Sequence, residues 1–156
     1  MSTYRNYRNL EKSLIDYLTA ELVTDGWEVR VEKAFSQVYE GTLPCILINV
    51  ESSNVIRREV GSSSYLENIL VSIRLFCLND GERLDLASWT LSKIMPGISY
   101  YAYTITSGVV SEKTLAGRIN CLEITANRKE LVNLEGLALQ DKFRHLLSLR
   151  CRVSLS

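Results

Sequence analysis

Residues that usually mark chemistry are scarce in this sequence. Its 156 residues include one histidine, two prolines and eight glycines, and eighteen Lys and Arg cancel eighteen Asp and Glu to a formal charge of zero. Without a surplus of positive charge, nothing in the total draws the chain to DNA, RNA or anionic membranes. The same neutrality removes the repulsion that keeps monomers apart, which mildly favours self-association. So few Pro and Gly exclude collagen-like or disordered character. The glycines stand singly, so no phosphate-cradling loop is present, and no Ser sits in a Gly-x-Ser-x-Gly elbow. No apolar run approaches the ~18 residues of a membrane span. The start, Met1-Ser2-Thr3-Tyr4-Arg5-Asn6-Tyr7-Arg8, is polar and basic. It is not a secretory signal, and the expectation is a soluble chain that stays in the compartment where it is made.

The four cysteines, Cys45, Cys77, Cys121 and Cys151, lack the close spacing of a zinc or redox motif. Each lies in or at the end of an apolar run, which predicts buried, inert thiols. His145, beside Phe143 and Arg144, reads as a structural residue at the head of a strand. A catalytic role would need an Asp, Glu or Cys brought to it by the fold.

What is present is hydrophobic periodicity, 46% of the residues being apolar. The length and that content fit one domain over residues 1–156. Leu10, Leu14, Leu18 and Leu22 recur at helical spacing, widened by Tyr7, Ile15 and Tyr17, and predict a helix over residues 7–23 that Asp25-Gly26 ends. Trp27-Glu28-Val29-Arg30-Val31-Glu32 alternates as a half-buried strand does. Residues 43–51 continue through 55–60 to the turn residues Gly61-Ser62-Ser63-Ser64, and residues 65–78 return. This predicts a long hairpin with a polar outer part that either touches a neighbouring molecule or stands solvated. Asn79-Asp80-Gly81-Glu82 breaks the strand and Asp80 can cap a second helix, with Leu84, Ala87, Leu91, Ile94 and Met95 as its apolar face and Pro96-Gly97 as its stop. Residues 98–106 read as a strand with Tyr100, Tyr101 and Tyr103, residues 107–117 as polar and turn-rich, and residues 118–126 as a strand. Residues 127–140 are ambiguous between a connection and a short helical turn. Leu147, Leu149, Cys151, Val153 and Leu155 alternate with polar and basic residues in a last strand. The expected fold is α+β, a mixed or mainly antiparallel sheet with a long projecting hairpin, flanked by two amphipathic helices.

Asp80, Glu82 and Asp85 form the densest acidic group, which negative charge at a helix start explains without a metal or acid-base role. Arg144, Arg150 and Arg152 with the three tyrosines would make a basic, aromatic face for single-stranded nucleic acid if the strand order brought them together.

The order helix, strand, long hairpin, helix and further strands resembles the tail terminator, or tail-completion, proteins of long-tailed bacteriophages. The resemblance rests on the first helix running into Asp25-Gly26-Trp27-Glu28-Val29-Arg30-Val31 and on Leu43-Pro44-Cys45-Ile46-Leu47-Ile48. Arg83-Leu84-Asp85-Leu86 and Asp141-Lys142-Phe143-Arg144-His145 before the last strand complete it. It implies a virion protein of the tail or neck, assembled in the bacterial host cytoplasm, that closes a homohexameric ring on the tail tube and stops its polymerisation. The implied partners are further copies of itself, the tail-tube protein and the head-completion or neck protein. DNA passes through the lumen without being read. No catalysis, cofactor, metal or membrane is implied. A ring needs one edge of each subunit to complement the opposite edge of the next. The candidates are the arm carrying Arg57, Arg58, Glu59 and Glu67, and residues 107–117 with Glu112 and Lys113 and with Arg118 nearby. Beside this stand a neighbouring neck or tail component (head-completion stopper, tube or baseplate subunit), a nucleic-acid-binding accessory protein using Arg150 and Arg152, and an enzyme built on His145.

Overall fold

Leu10, Leu14, Leu18 and Leu22 lie fully buried along one side of α1 (Asn6–Thr24), as their spacing requires. The helix closes on paired carbonyl bonds, Gly26 N–H to Val23 O at 3.2 Å and Trp27 N–H to Leu22 O at 2.9 Å, so Asp25-Gly26 ends it as expected. The computed structural model describes residues 6–57, 60–61, 65–129 and 143–155. The expected hairpin tip at residues 62–64, most of the ambiguous stretch 127–140, and Arg58 and Glu59 lie outside the described residues.

Six strands follow in one mixed, curled sheet: β1 (Arg30–Glu32), β2 (Cys45–Arg57), β3 (Tyr65–Cys77), β4 (Ile98–Thr106), β5 (Val109–Lys129) and β6 (Phe143–Leu155), in spatial order β1-β2-β3-β6-β5-β4. Only β1 and β2 run parallel; the other pairs are antiparallel. Two further helices complete the α+β fold, α2 (Phe35–Tyr39) and α3 (Asp80–Ile94).

Several expectations are corrected. The alternation from Trp27 yields only a three-residue strand, because pairing with Cys45-Ile46-Leu47 begins at Arg30. The helix α2, not expected, connects the parallel pair. It buries Val38 against Cys45, Leu47 and Phe76 on the face of the sheet opposite α1, a second small core. Arg30 anchors it by donating to the Gln37 and Val38 carbonyls at 3.1 and 3.2 Å and to Thr42 O at 2.7 Å. The cap of α3 is Asn79, whose side chain accepts the Glu82 N–H at 2.8 Å, one residue before the expected Asp80. Its buried face is Arg83, Leu86, Ala87, Thr90 and Ile94, while Leu84 and Met95 are 51% and 65% exposed. Residues 107–117 are not a loop. Ser107 (φ 53°) and Gly108 (φ 79°) form a two-residue turn, and the chain returns at once as β5, 21 residues long.

The curl has a local cause. Glu51 in β2 and Ser111, Ala116 and Leu122 in β5 each have no partner across the ladder, and every such extra residue bends its strand and increases its twist. The concave face closes over α1 and α3, with Ile46, Ile48, Val71, Ile73, Leu147 and Leu149 among the sheet residues in the common core. The two helices are tied by Tyr17 Oη donating to Lys93 O at 2.8 Å and by Lys93 Nζ against Glu21 and Asp25 at 3.1 and 3.0 Å.

Candidate assembly surfaces

A strand edge is a row of unmet donors and acceptors, and a fold either covers it or offers it to another chain. The outer edge of β4 is covered. Ser13 Oγ accepts the Tyr101 N–H at 3.0 Å and Asn9 Oδ1 accepts the Tyr103 N–H at 3.3 Å, both from buried positions on α1. Glu11 Oε2 likewise accepts the Val50 N–H, beside the bulge in β2, at 3.2 Å. One helix thus satisfies amides on two strands of the curled sheet.

β5 is different. It pairs with β4 from Val109 to Ile119 and with β6 from Gly117 to Lys129, so its two halves have partners on opposite sides. Among the described residues, no strand lies beside 109–116 on the β6 side or beside 120–129 on the β4 side. Val109 and Leu115 there are 68% and 60% exposed, and Val110 and Leu122 are also exposed. The sequence signal for this surface is the β-branched run Val109-Val110, which the polar Ser111, Glu112, Lys113 and Thr114 beside it obscure.

The expected interface residues fall at separate places. Arg57 is exposed at the outer end of β2, opposite Tyr65. Glu67, half-buried in β3, lines a cleft of about 190 Å³ with Leu66, Ile69, Tyr100, Arg152 and Leu155. Glu112 is exposed on β5, opposite Thr104. Lys113 instead engages groups of its own chain, 4.2 Å above the Tyr101 ring and 3.8 Å from Asp16. Arg118 does too, donating from Nη2 to Pro96 O at 2.6 Å and so holding the end of α3 to the sheet.

The tyrosines and arginines do not form one stacking face. Tyr100 is buried in the core, and Tyr103, also buried, donates to Asp16 Oδ2 at 2.7 Å. Burial, with the Asp16 carboxylate beside it, pushes the Tyr103 phenol above its ordinary value. Arg150 pairs with Glu123 at 3.2 Å, Arg152 donates to Asn68 Oδ1 at 2.8 Å, and Arg144 lies 4.9 Å above the Phe76 ring.

His145 is held by a side chain of α3. Its Nδ1 lies 2.7 Å from Nη1 of Arg83, which donates from Nε to Asp80 Oδ1 at 2.9 Å. Since guanidinium can only donate, Nδ1 accepts and the imidazole is neutral, which joins α3 to β6. Burial first and then the Arg83 charge lower its pKa. Glu82 accepts the Leu78 N–H at 2.9 Å, so two members of the acidic group are engaged at the helix start. Among the described residues no group of three or more His, Cys, Asp or Glu side chains is arranged to hold a metal ion, and no helix is long and apolar enough to cross a membrane. No family model and no curated protein matches the chain.

Proposed function

We propose that this chain is the tail terminator subunit of a long-tailed bacteriophage, a virion structural protein that assembles as a homohexameric ring. In this reading the ring caps the tail tube, stops its polymerisation and offers its other face to the head-completion or neck protein. The observation that carries the proposal is β5, a strand with two edges on opposite sides that no other strand pairs among the described residues, and with exposed apolar residues along it. Two different edges on one subunit suit head-to-tail contacts, which close into a ring when the rotation permits. The exposed outer part of β2, with Arg57, supports a projecting arm reaching an adjacent subunit. Zero net charge suits a lumen through which DNA passes without adhering.

Native mass spectrometry and light scattering of the purified protein, alone and with tail-tube protein, test the proposal. Hexamers support it, and a strict monomer that never binds tubes refutes it. Leu115→Lys should leave the monomer folded and abolish the ring. Particles assembled without the protein should carry over-long tails; filled heads lacking tails would assign it to the neck instead.

A further inference from the structure

Cys121 and Cys151, expected to be buried, inert thiols from the apolar runs they lie in, meet across the sheet. They are direct register partners on β5 and β6, and their sulfurs are 3.6 Å apart on the core-facing side. Opposed residues in an antiparallel pair have Cα atoms about 4.5–5.5 Å apart, within the roughly 4.4–6.8 Å that a disulfide spans. Leu122, the unpaired residue next to Cys121, bends β5 at this point. We infer that Cys121 and Cys151 form a peroxide-sensitive dithiol that closes to a disulfide stapling β5 to β6.

The two thiols are unequal in a way that orders the reaction. Cys151 is 0% exposed, whereas Cys121 is partly accessible. The hydrogen bond from Cys151 lowers the Cys121 pKa, while that bond and burial raise Cys151. Hydrogen peroxide, small enough for a partly covered site, oxidises the Cys121 thiolate to a sulfenic acid, its peroxide bond breaking and its other oxygen leaving as hydroxide, which takes up the proton the thiol had lost and becomes one water. The Cys151 sulfur then attacks the Cys121 sulfur, an S–S bond replaces the S–O bond, and the oxygen leaves as a second water. Two thiols and one peroxide give one disulfide and two waters. In a glutathione-reduced cytosol the pair remains as thiols.

The other cysteines are internal controls. Burial pushes Cys45 up to about 11 and Cys77 up to about 12, and they sit in different cores. The full-length protein is treated with hydrogen peroxide, denatured, alkylated and mapped by mass spectrometry. The expected result is loss of the mass of two hydrogens, one peptide pair joining Cys121 to Cys151, alkylation of Cys45 and Cys77 only, and reversal by dithiothreitol. In Cys151→Ser the intermediate should persist as a sulfenic acid trapped by dimedone. If that variant does not fold, the wild-type map alone decides. Sulfinic or sulfonic acid on Cys121 with Cys151 still alkylated, a bridge only between chains, or no reaction would each overturn the inference. The bridged protein should melt about 5 °C or more above the reduced one, and an unchanged or lower transition would refute the staple.

Discussion

Asn9→Ala and Ser13→Ala test whether α1 seals the sheet edge through side-chain acceptors and not only through its leucines. Asn9 and Ser13 are 3% and 1% exposed and accept the Tyr103 and Tyr101 amides. Removing a partner from a buried amide costs about 1–3 kcal/mol, because the donor loses its bond and gains no water. Tyr103 is buried and Tyr101 only half-buried, so Asn9→Ala belongs near the top of that range and Ser13→Ala near the bottom. The double variant should lose about 3–4 kcal/mol if the two amides act independently. For a domain of this size that is a fall of roughly 6–16 °C in melting temperature. Urea denaturation followed by circular dichroism supplies the free energies, and hydrogen exchange should show protection lost at the Tyr101 and Tyr103 amides specifically. Thr19→Ala is the control, since its hydroxyl bonds the Ile15 carbonyl within the exposed side of the helix, and it should change stability by less than about 0.5 kcal/mol. If both test variants match the control and both amides stay protected, the edge is sealed by packing and the reasoning is wrong.

The Arg83–His145 contact predicts a pH dependence. His145 has a folded pKa below its ordinary 6.5, so on acidification the unfolded chain takes the proton first. Its contribution is complete above pH 6.5 and is lost as pH falls toward the folded value. Urea midpoints should therefore fall across that window, and an equal slope in His145→Gln would refute the assignment. Leu14→Asp should yield no soluble folded protein, because it places a charge among fully buried residues; Leu14→Ala should cost about 2–5 kcal/mol by urea denaturation. Gly97 has φ +87°, and a Cβ there would lie 2.7 Å from Arg118 Nε. Gly97→Ala should cost about 1–2 kcal/mol for the left-handed backbone, measured by thermal unfolding, and more if Arg118 leaves the Pro96 carbonyl.

Legibility varied with how local each signal was. The leucine stripe of α1, the Asp25-Gly26 stop and the alternation of Leu147, Leu149 and Cys151 were readable because the buried face repeats at the element's own period. At the outer end of that strand Leu155 is exposed, so apolar alternation outran burial. In α3 the pattern offered two faces, and Arg83, held by Asp80 and His145, turned inward in place of Leu84. In β5 polar composition hid a strand, because an exposed strand needs no apolar alternation to pair. Of the candidate interface residues, Lys113 and Arg118 stand out in the sequence only by charge, and no sequence rule shows that Asp16 and Pro96 engage them.

By itself the sequence determined the α+β class, the order of the main elements and a chain of zero net charge without a local catalytic or phosphate-binding motif, since all of these follow from composition and short-range periodicity. Only tertiary structure decided the strand order, the edge that α1 seals, the edges of β5 that no described strand pairs and the meeting of Cys121 with Cys151. Each depends on which strands become neighbours. Pairing is a long-range choice set by bulges, helix placement and core packing, and residues about thirty positions apart carry no mark of it in the linear pattern.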